Sequence, residues 1–121
     1  MLIDDNKVDQ MMYQRVIDRS GLVGKTIPFF LAVDALEFLS RKETQMPDLI
    51  LLDINMPRMD GFEFLEAVSA KFGTDFAPVV IMLTTSLDPN DEARAAQFDV
   101  VKSYLSKPLT EAHLQDLIDL V

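Results

Sequence analysis

The apolar run Leu49, Ile50, Leu51, Leu52 stops at Asp53, and this feature most narrows what the chain can become. A short run with no polar face reads as a strand buried on both sides, the central strand of a parallel sheet. A carboxylate at the carboxyl end of such a strand lies at the rim where open α/β sheets place their ligands. The chain opens the same way, with Met1, Leu2 and Ile3 running into Asp4 and Asp5. Two strands ending in Asp bring three carboxylates toward one edge. That cluster repels itself unless protons or a cation are present, so it asks for a metal.

Strand-like and helix-like stretches alternate along the rest of the chain. The expected strands are Met1 to Ile3, Thr26 to Ala32, Asp48 to Asp53, Pro78 to Thr84 and Ser103 to Ser106. Helical period is plainest near the end, where Leu114, Leu117, Ile118 and Val121 form one stripe, and in Phe62, Leu65, Val68 and Phe72. Helix starts carry their own chemistry. Asp60 with Glu63, and Asp88 with Glu92 and Pro89, resemble capping boxes, and Thr110 is placed to cap the last helix. The alternation predicts a parallel sheet covered by helices on both faces. His113 is expected to be solvated and the Met residues to fill core and loops.

The 121 residues form one expected domain, 1–121, large enough for a core without staples. With no Cys there is neither a disulfide scaffold nor thiol chemistry, as suits a reducing cytoplasm. A formal charge of −9 argues against a nucleic-acid surface, and no apolar stretch is long enough to span a bilayer. The first strand has only three apolar residues before Asp4, roughly 10 Å at the usual rise, so we expect a few further residues upstream of Met1.

Five strand-end positions together resemble the response-regulator receiver family of bacterial two-component signalling. They are Asp4 and Asp5, Asp53, Thr84, and Lys107 with Pro108, joined by the run Asp53, Ile54, Asn55, Met56, Pro57 and then Met59, Asp60, Gly61. The resemblance covers essentially the whole chain. It implies a flavodoxin-like (βα)5 doubly wound five-stranded parallel sheet of order 2-1-3-4-5. It also implies that Asp53 is the phosphoacceptor, and that Mg²⁺ is held by Asp5, Asp53 and the backbone carbonyl of Asn55, with Asp4 acting through metal-bound water. Lys107 and Thr84 would meet the phosphoryl oxygens, Tyr104 would follow Thr84 as the switch, and the Lys107–Pro108 bond would be cis. Asn55 and Ser86 flank the site and are the expected tuners of phosphoryl lifetime. The implied partners are a sensor histidine kinase or histidine phosphotransfer protein and a downstream protein target, with no enzymatic turnover beyond the chain's own phosphorylation and dephosphorylation.

Two features stand apart from the family pattern. The stretch Phe98 to Ser103 lacks the Gly-Ala turn of many receivers, and Thr84 to Lys107 is one residue longer than in the chemotaxis receiver, which leaves the register of the fifth strand open. Three other readings compete. A haloacid-dehalogenase-type phosphatase needs a second Asp two residues after the nucleophile, where this chain has Asn55, which cannot exchange protons in that role. A flavin carrier needs a phosphate-binding loop after the first strand, and none is present. A degenerate receiver that only binds is disfavoured by the intact set of Asp4, Asp5, Asp53, Thr84 and Lys107. The run Thr85 to Pro89 resembles single-domain regulators, so a stand-alone protein that docks or relays phosphate is expected.

Overall fold

A computed structural model describes residues 1–41, 43–85 and 88–121. Five parallel strands are ordered β2-β1-β3-β4-β5, as expected: β1 Leu2–Ile3, β2 Pro28–Phe29, β3 Leu49–Asp53, β4 Val79–Thr84 and β5 Val101–Ser106. The helices are α1 Lys7–Ser20, α2 Ala32–Ser40, α3 Gly61–Phe72, α4 Pro89–Ala95 and α5 Glu111–Ile118. Among the described residues no helix is long and apolar enough to cross a membrane.

Side chains alternate across a strand, so the apolar runs of β3 and β4 fill two cores. Ile50, Leu52, Val80 and Met82 meet Ala35 and Leu39 of α2 and Phe62, Leu65 and Val68 of α3. Leu51, Ile81 and Leu83 meet Tyr13, Val16 and Ile17 of α1 and Leu114 and Leu117 of α5. Each fully buried Leu, Ile or Phe contributes about 1.5–3 kcal/mol. The sheet's carboxyl edge is thereby held between two packed helical layers.

Local chemistry sets the helix ends. Asp60 and Glu63 form the expected capping box, and Asp88 accepts from the Asn90 N–H with Pro89 opening α4. Thr110 caps α5, but its partner corrects the reading of His113: the imidazole Nδ1 accepts from the Thr110 N–H at 3.2 Å. It completes a reciprocal cap. The stripe at the carboxyl terminus also ends early, since α5 stops at Ile118 and Val121 is exposed.

Two strands differ from expectation. β2 keeps only Pro28 and Phe29 of the expected Thr26 to Ala32, because its sole neighbour β1 offers two paired residues and Ala32 already begins α2. β5 starts earlier, at Val101, and holds a bulge: Val80 pairs with Val101 and Ile81 with Ser103, so Lys102 is unpaired. Its Nζ donates to the Asp99 carbonyl at 2.6 Å. The bulge absorbs one residue inside β5, and Ser106 still arrives opposite Thr84.

Candidate functional site

Strand register gathers the strand-end residues. Ile3 pairs with Leu52, which sets Asp4 beside Asp53, and Asp53 pairs with Leu83, one residue before Thr84. The Lys107 N–H donates to the Thr84 carbonyl at 2.7 Å, continuing the ladder past Ser106. The Lys107–Pro108 peptide is cis, as the resemblance implies.

The carboxylates of Asp4, Asp5 and Asp53 offer oxygen atoms that all lie within 4.8 Å of one another. Asp4 and Asp53 are buried and Asp5 is exposed. Hard oxygen donors in this number suit a magnesium-like cation that keeps part of its water shell. Asp4 is heavily engaged already: Oδ1 accepts from the Asn6 N–H at 2.9 Å, and Oδ2 accepts from the Tyr13 hydroxyl at 2.6 Å and from Lys107 Nζ at 2.9 Å. Three of the roughly four lone-pair positions of its carboxylate are thus taken.

Lys107 is the cation of the site. Its Nζ lies 2.9 Å from Asp4 Oδ2, 2.8 Å from Asp9 Oδ2 and 3.2 Å from Asp53 Oδ1. Burial alone lowers the ammonium, but its hydrogen bonds to Asp9 and Asp4 outweigh burial and raise it above the ordinary 10.5. Asp53 moves the other way from most paired carboxylates. Burial, then the neighbouring Asp4 charge, push it up to about 6, and Lys107 offsets only part of that. The site as folded holds more negative charge than Lys107 neutralises.

The loop after Asp53 is shaped by close backbone approach. The Gly61 N–H donates to the Ile54 carbonyl at 2.8 Å, and a Cβ on Gly61 would sit 2.5 Å from the Asp53 carbonyl oxygen. Only glycine fits there. Asn55 is exposed beside the cluster. Thr84 is buried, and Tyr104 on β5 lies opposite Met82 with its ring against the core shared with α2 and α3. The Tyr104 hydroxyl is enclosed, with no hydrogen-bond partner among the described residues. Burial, then the acidic first turn of α4 and its cap (Asp91, Glu92, Asp88), push its phenol up. Ser86 lies outside the described residues.

Sequence reasoning missed Asp9, Gln10 and Tyr13. All three lie on the α1 face turned to the site. The Gln10 amide donates to the carbonyls of Leu2, Asp4 and Phe29 at 3.3, 3.1 and 3.0 Å, tying β1 to β2. Burial, with the hydrogen bond to Asp4, raises the Tyr13 phenol above its ordinary range. The available signal was the i, i+4 spacing of Asp9 and Tyr13, which places them on one helix face directly after Asp4 and Asp5.

The family model for the response regulator receiver domain matches residues 1–119. The chain belongs to that family. As a receiver domain it is a signalling module of two-component phosphorelay, not an enzyme, which removes the phosphatase reading. The receiver is 31% identical over 125 residues to the response regulator Rcp1 of Synechocystis sp., spanning 100% of this chain and 82% of that protein. It is 29% identical over 123 residues to the sensor histidine kinase GacS of Pseudomonas protegens, covering 98% of this chain but 12% of the kinase. Among solved structures, a two-component response regulator from Cytophaga hutchinsonii superposes with a TM-score of 0.88 at 30% identity, covering 98% of this chain and 92% of that one. The Mn²⁺-bound form of Rcp1 superposes with a TM-score of 0.77 at 30% identity, covering 98% and 85%. Receiver domains work with histidine kinases, and this one carries an acidic site of Asp4, Asp5 and Asp53 with Lys107 beside it.

Proposed function

We propose that this receiver accepts a phosphoryl group on Asp53, from a histidine kinase, a histidine phosphotransfer protein or a small phosphodonor, and that the phosphorylated form controls binding to a downstream protein. The observation that carries this reading is the Asp53 carboxylate at the sheet edge, in one 4.8 Å cluster with Asp4 and Asp5 and 3.2 Å from Lys107. A nucleophile, a metal-ligand set and a fixed cation are the parts that phosphoryl transfer asks of a protein.

Asp5, Asp53 and the Asn55 carbonyl would hold Mg²⁺, with Asp4 acting through water because its oxygens already serve Asn6, Tyr13 and Lys107. That Rcp1 has a Mn²⁺-bound form supports a divalent metal here. Bound Mg²⁺ supplies positive charge against the three carboxylates and the phosphoryl oxygens. Lys107 places its ammonium beside the Asp53 oxygen, where the charge of the phosphoryl group develops. Thr84, one residue past the partner of Asp53, offers a hydroxyl to the same oxygens, and Tyr104 responds to it from the adjacent strand. Asn55, which is exposed, would orient the hydrolytic water and, with Ser86, tune the lifetime of the acyl phosphate. A chain without Cys suits cytoplasmic work of this kind.

Acetyl phosphate with and without Mg²⁺ tests the reading. We expect one phosphoryl group per chain, dependent on Mg²⁺ and lost in Asp53→Ala. Silence of the wild type would leave a receiver that only binds, and labelling that persists in Asp53→Ala would move the acceptor elsewhere.

A further inference from the structure

Lys107 makes one contact that the phosphoryl chemistry proposed above does not use. Its Nζ donates to Asp9 Oδ2 at 2.8 Å, the shortest of its three carboxylate contacts. An ammonium has three N–H donors. Two are bonded to Asp4 and Asp9, and Asp53 is an ion-pair neighbour at 3.2 Å, so the ammonium rests among three carboxylates. Turning it fully toward phosphoryl oxygens on Asp53 loosens one of the two bonds.

The three partners are not equivalent. The Asp4 side chain is 1% exposed, and stripping the ammonium from it would strand a buried charge. Asp53 is the reacting group itself. The Asp9 side chain is 26% exposed, so water can replace the ammonium there at the least cost. The Asp9 backbone is held at the start of α1. Its backbone N–H donates to the Asn6 cap of α1 at 3.0 Å, which anchors the main chain that carries the carboxylate. Asp9 lies outside the Asp4, Asp5, Asp53 cluster, and replacing it leaves those carboxylates in place.

We infer that Asp9 is an exchangeable counter-ion of Lys107: it holds the ammonium in the unphosphorylated receiver and releases it to the phosphoryl group on Asp53. This rests on the phosphoacceptor reading. It makes Asp9 a positioning residue that acts through Lys107 and restrains phosphorylation. With acetyl phosphate as donor, an Asp53 oxygen bonds to phosphorus as the bond from phosphorus to the acetate oxygen breaks, and acetate leaves as the anion. No proton needs to move. The single charge of Asp53 becomes a phosphoryl group of up to two charges, which draws Lys107 from Asp9.

The test compares labelling rates of wild type, Asp9→Asn and Asp9→Glu with acetyl phosphate at saturating Mg²⁺. Asp9→Asn should label about fivefold faster, the factor that ~1 kcal/mol of barrier produces. Asp9→Glu, which keeps the charge, should return toward the wild-type rate. A merely structural residue would slow labelling when replaced, and would do so in both variants. In the wild-type chain, the carboxyl carbon resonance of Asp9 should shift on phosphorylation as Lys107 leaves. An Asp9→Asn rate at or below wild type, or an unmoved Asp9 resonance in a chain labelled on Asp53, overturns the inference alone. A wild-type chain that takes no label on Asp53 overturns the phosphoacceptor reading and this inference with it.

Discussion

Asp53 is the residue at which the folded chain carries an electrostatic burden. Its carboxyl rises from an ordinary 3.8 to about 6, through burial first and Asp4 second. A carboxyl raised by folding weakens the fold once it ionises. The penalty is absent below pH 3.8, grows as pH climbs through the window to about 6, and is fully present at pH 7. The shift corresponds to at most ~3 kcal/mol. Asp53→Asn should therefore stabilise the metal-free chain at pH 7, and Lys107 would keep Asp4 and Asp9 as partners. Denaturant unfolding at pH 7, 5 and 3.5 checks this. The gain should shrink with each step down in pH, and a gain independent of pH would refute the assignment of its cause.

Elements place these residues more than any local preference does. β3 and β4 bring Asp53 next to Leu83, and Thr84 extends one residue beyond. β5 reaches Thr84 in register because its bulge at Lys102 takes up a residue before the strand enters the site. Tyr104 sits two residues before Ser106, the partner of Thr84, and its enclosed hydroxyl faces the field of the first turn of α4. Thr84 and Tyr104 thus lie on adjacent strands between the Asp53 edge and α4, where the proposed relay would run. We predict that Thr84→Ala still takes a phosphoryl group but fails to pass the change on. Ring resonances of Tyr104 should shift on phosphorylation of the wild type and stay in place in the labelled variant. Equal shifts in both would remove Thr84 from the relay.

At the scale of the molecule, two cores clamp one sheet and leave Asp4, Asp5 and Asp53 together at its carboxyl edge, on a chain of net charge −9. Cation binding at that edge should stabilise the whole fold, because only the folded chain assembles Asp4, Asp5 and Asp53. Mg²⁺ at a hundred times its dissociation constant should add roughly 2.7 kcal/mol and raise Tm by several degrees, reversibly with a chelator. Asp5→Asn should lose most of that gain, since Asp5 is the exposed member of the cluster and Asp4 is already occupied by protein donors. A Tm indifferent to Mg²⁺ would count against the metal site.

The amino-acid sequence by itself determined whatever depends on near neighbours and on period. Apolar runs that end in Asp located β1 and β3 and their carboxylates, and the alternation with helices required a parallel sheet. The caps at Asp60, Asp88 and Thr110 could be read because their hydrogen bonds close within two or three residues. Only the tertiary structure decided the surroundings of Lys107. Its contacts reach 98 residues back to Asp9 and 103 back to Asp4, and such distances are set by strand register and helix packing, not by any local pattern. The same holds for the short β2, which has only the two paired residues of β1 to bond, and for the bulge that restores the register of β5. Residue types and spacing identify the carboxylates; the sheet and α1 decide which of them share one ammonium.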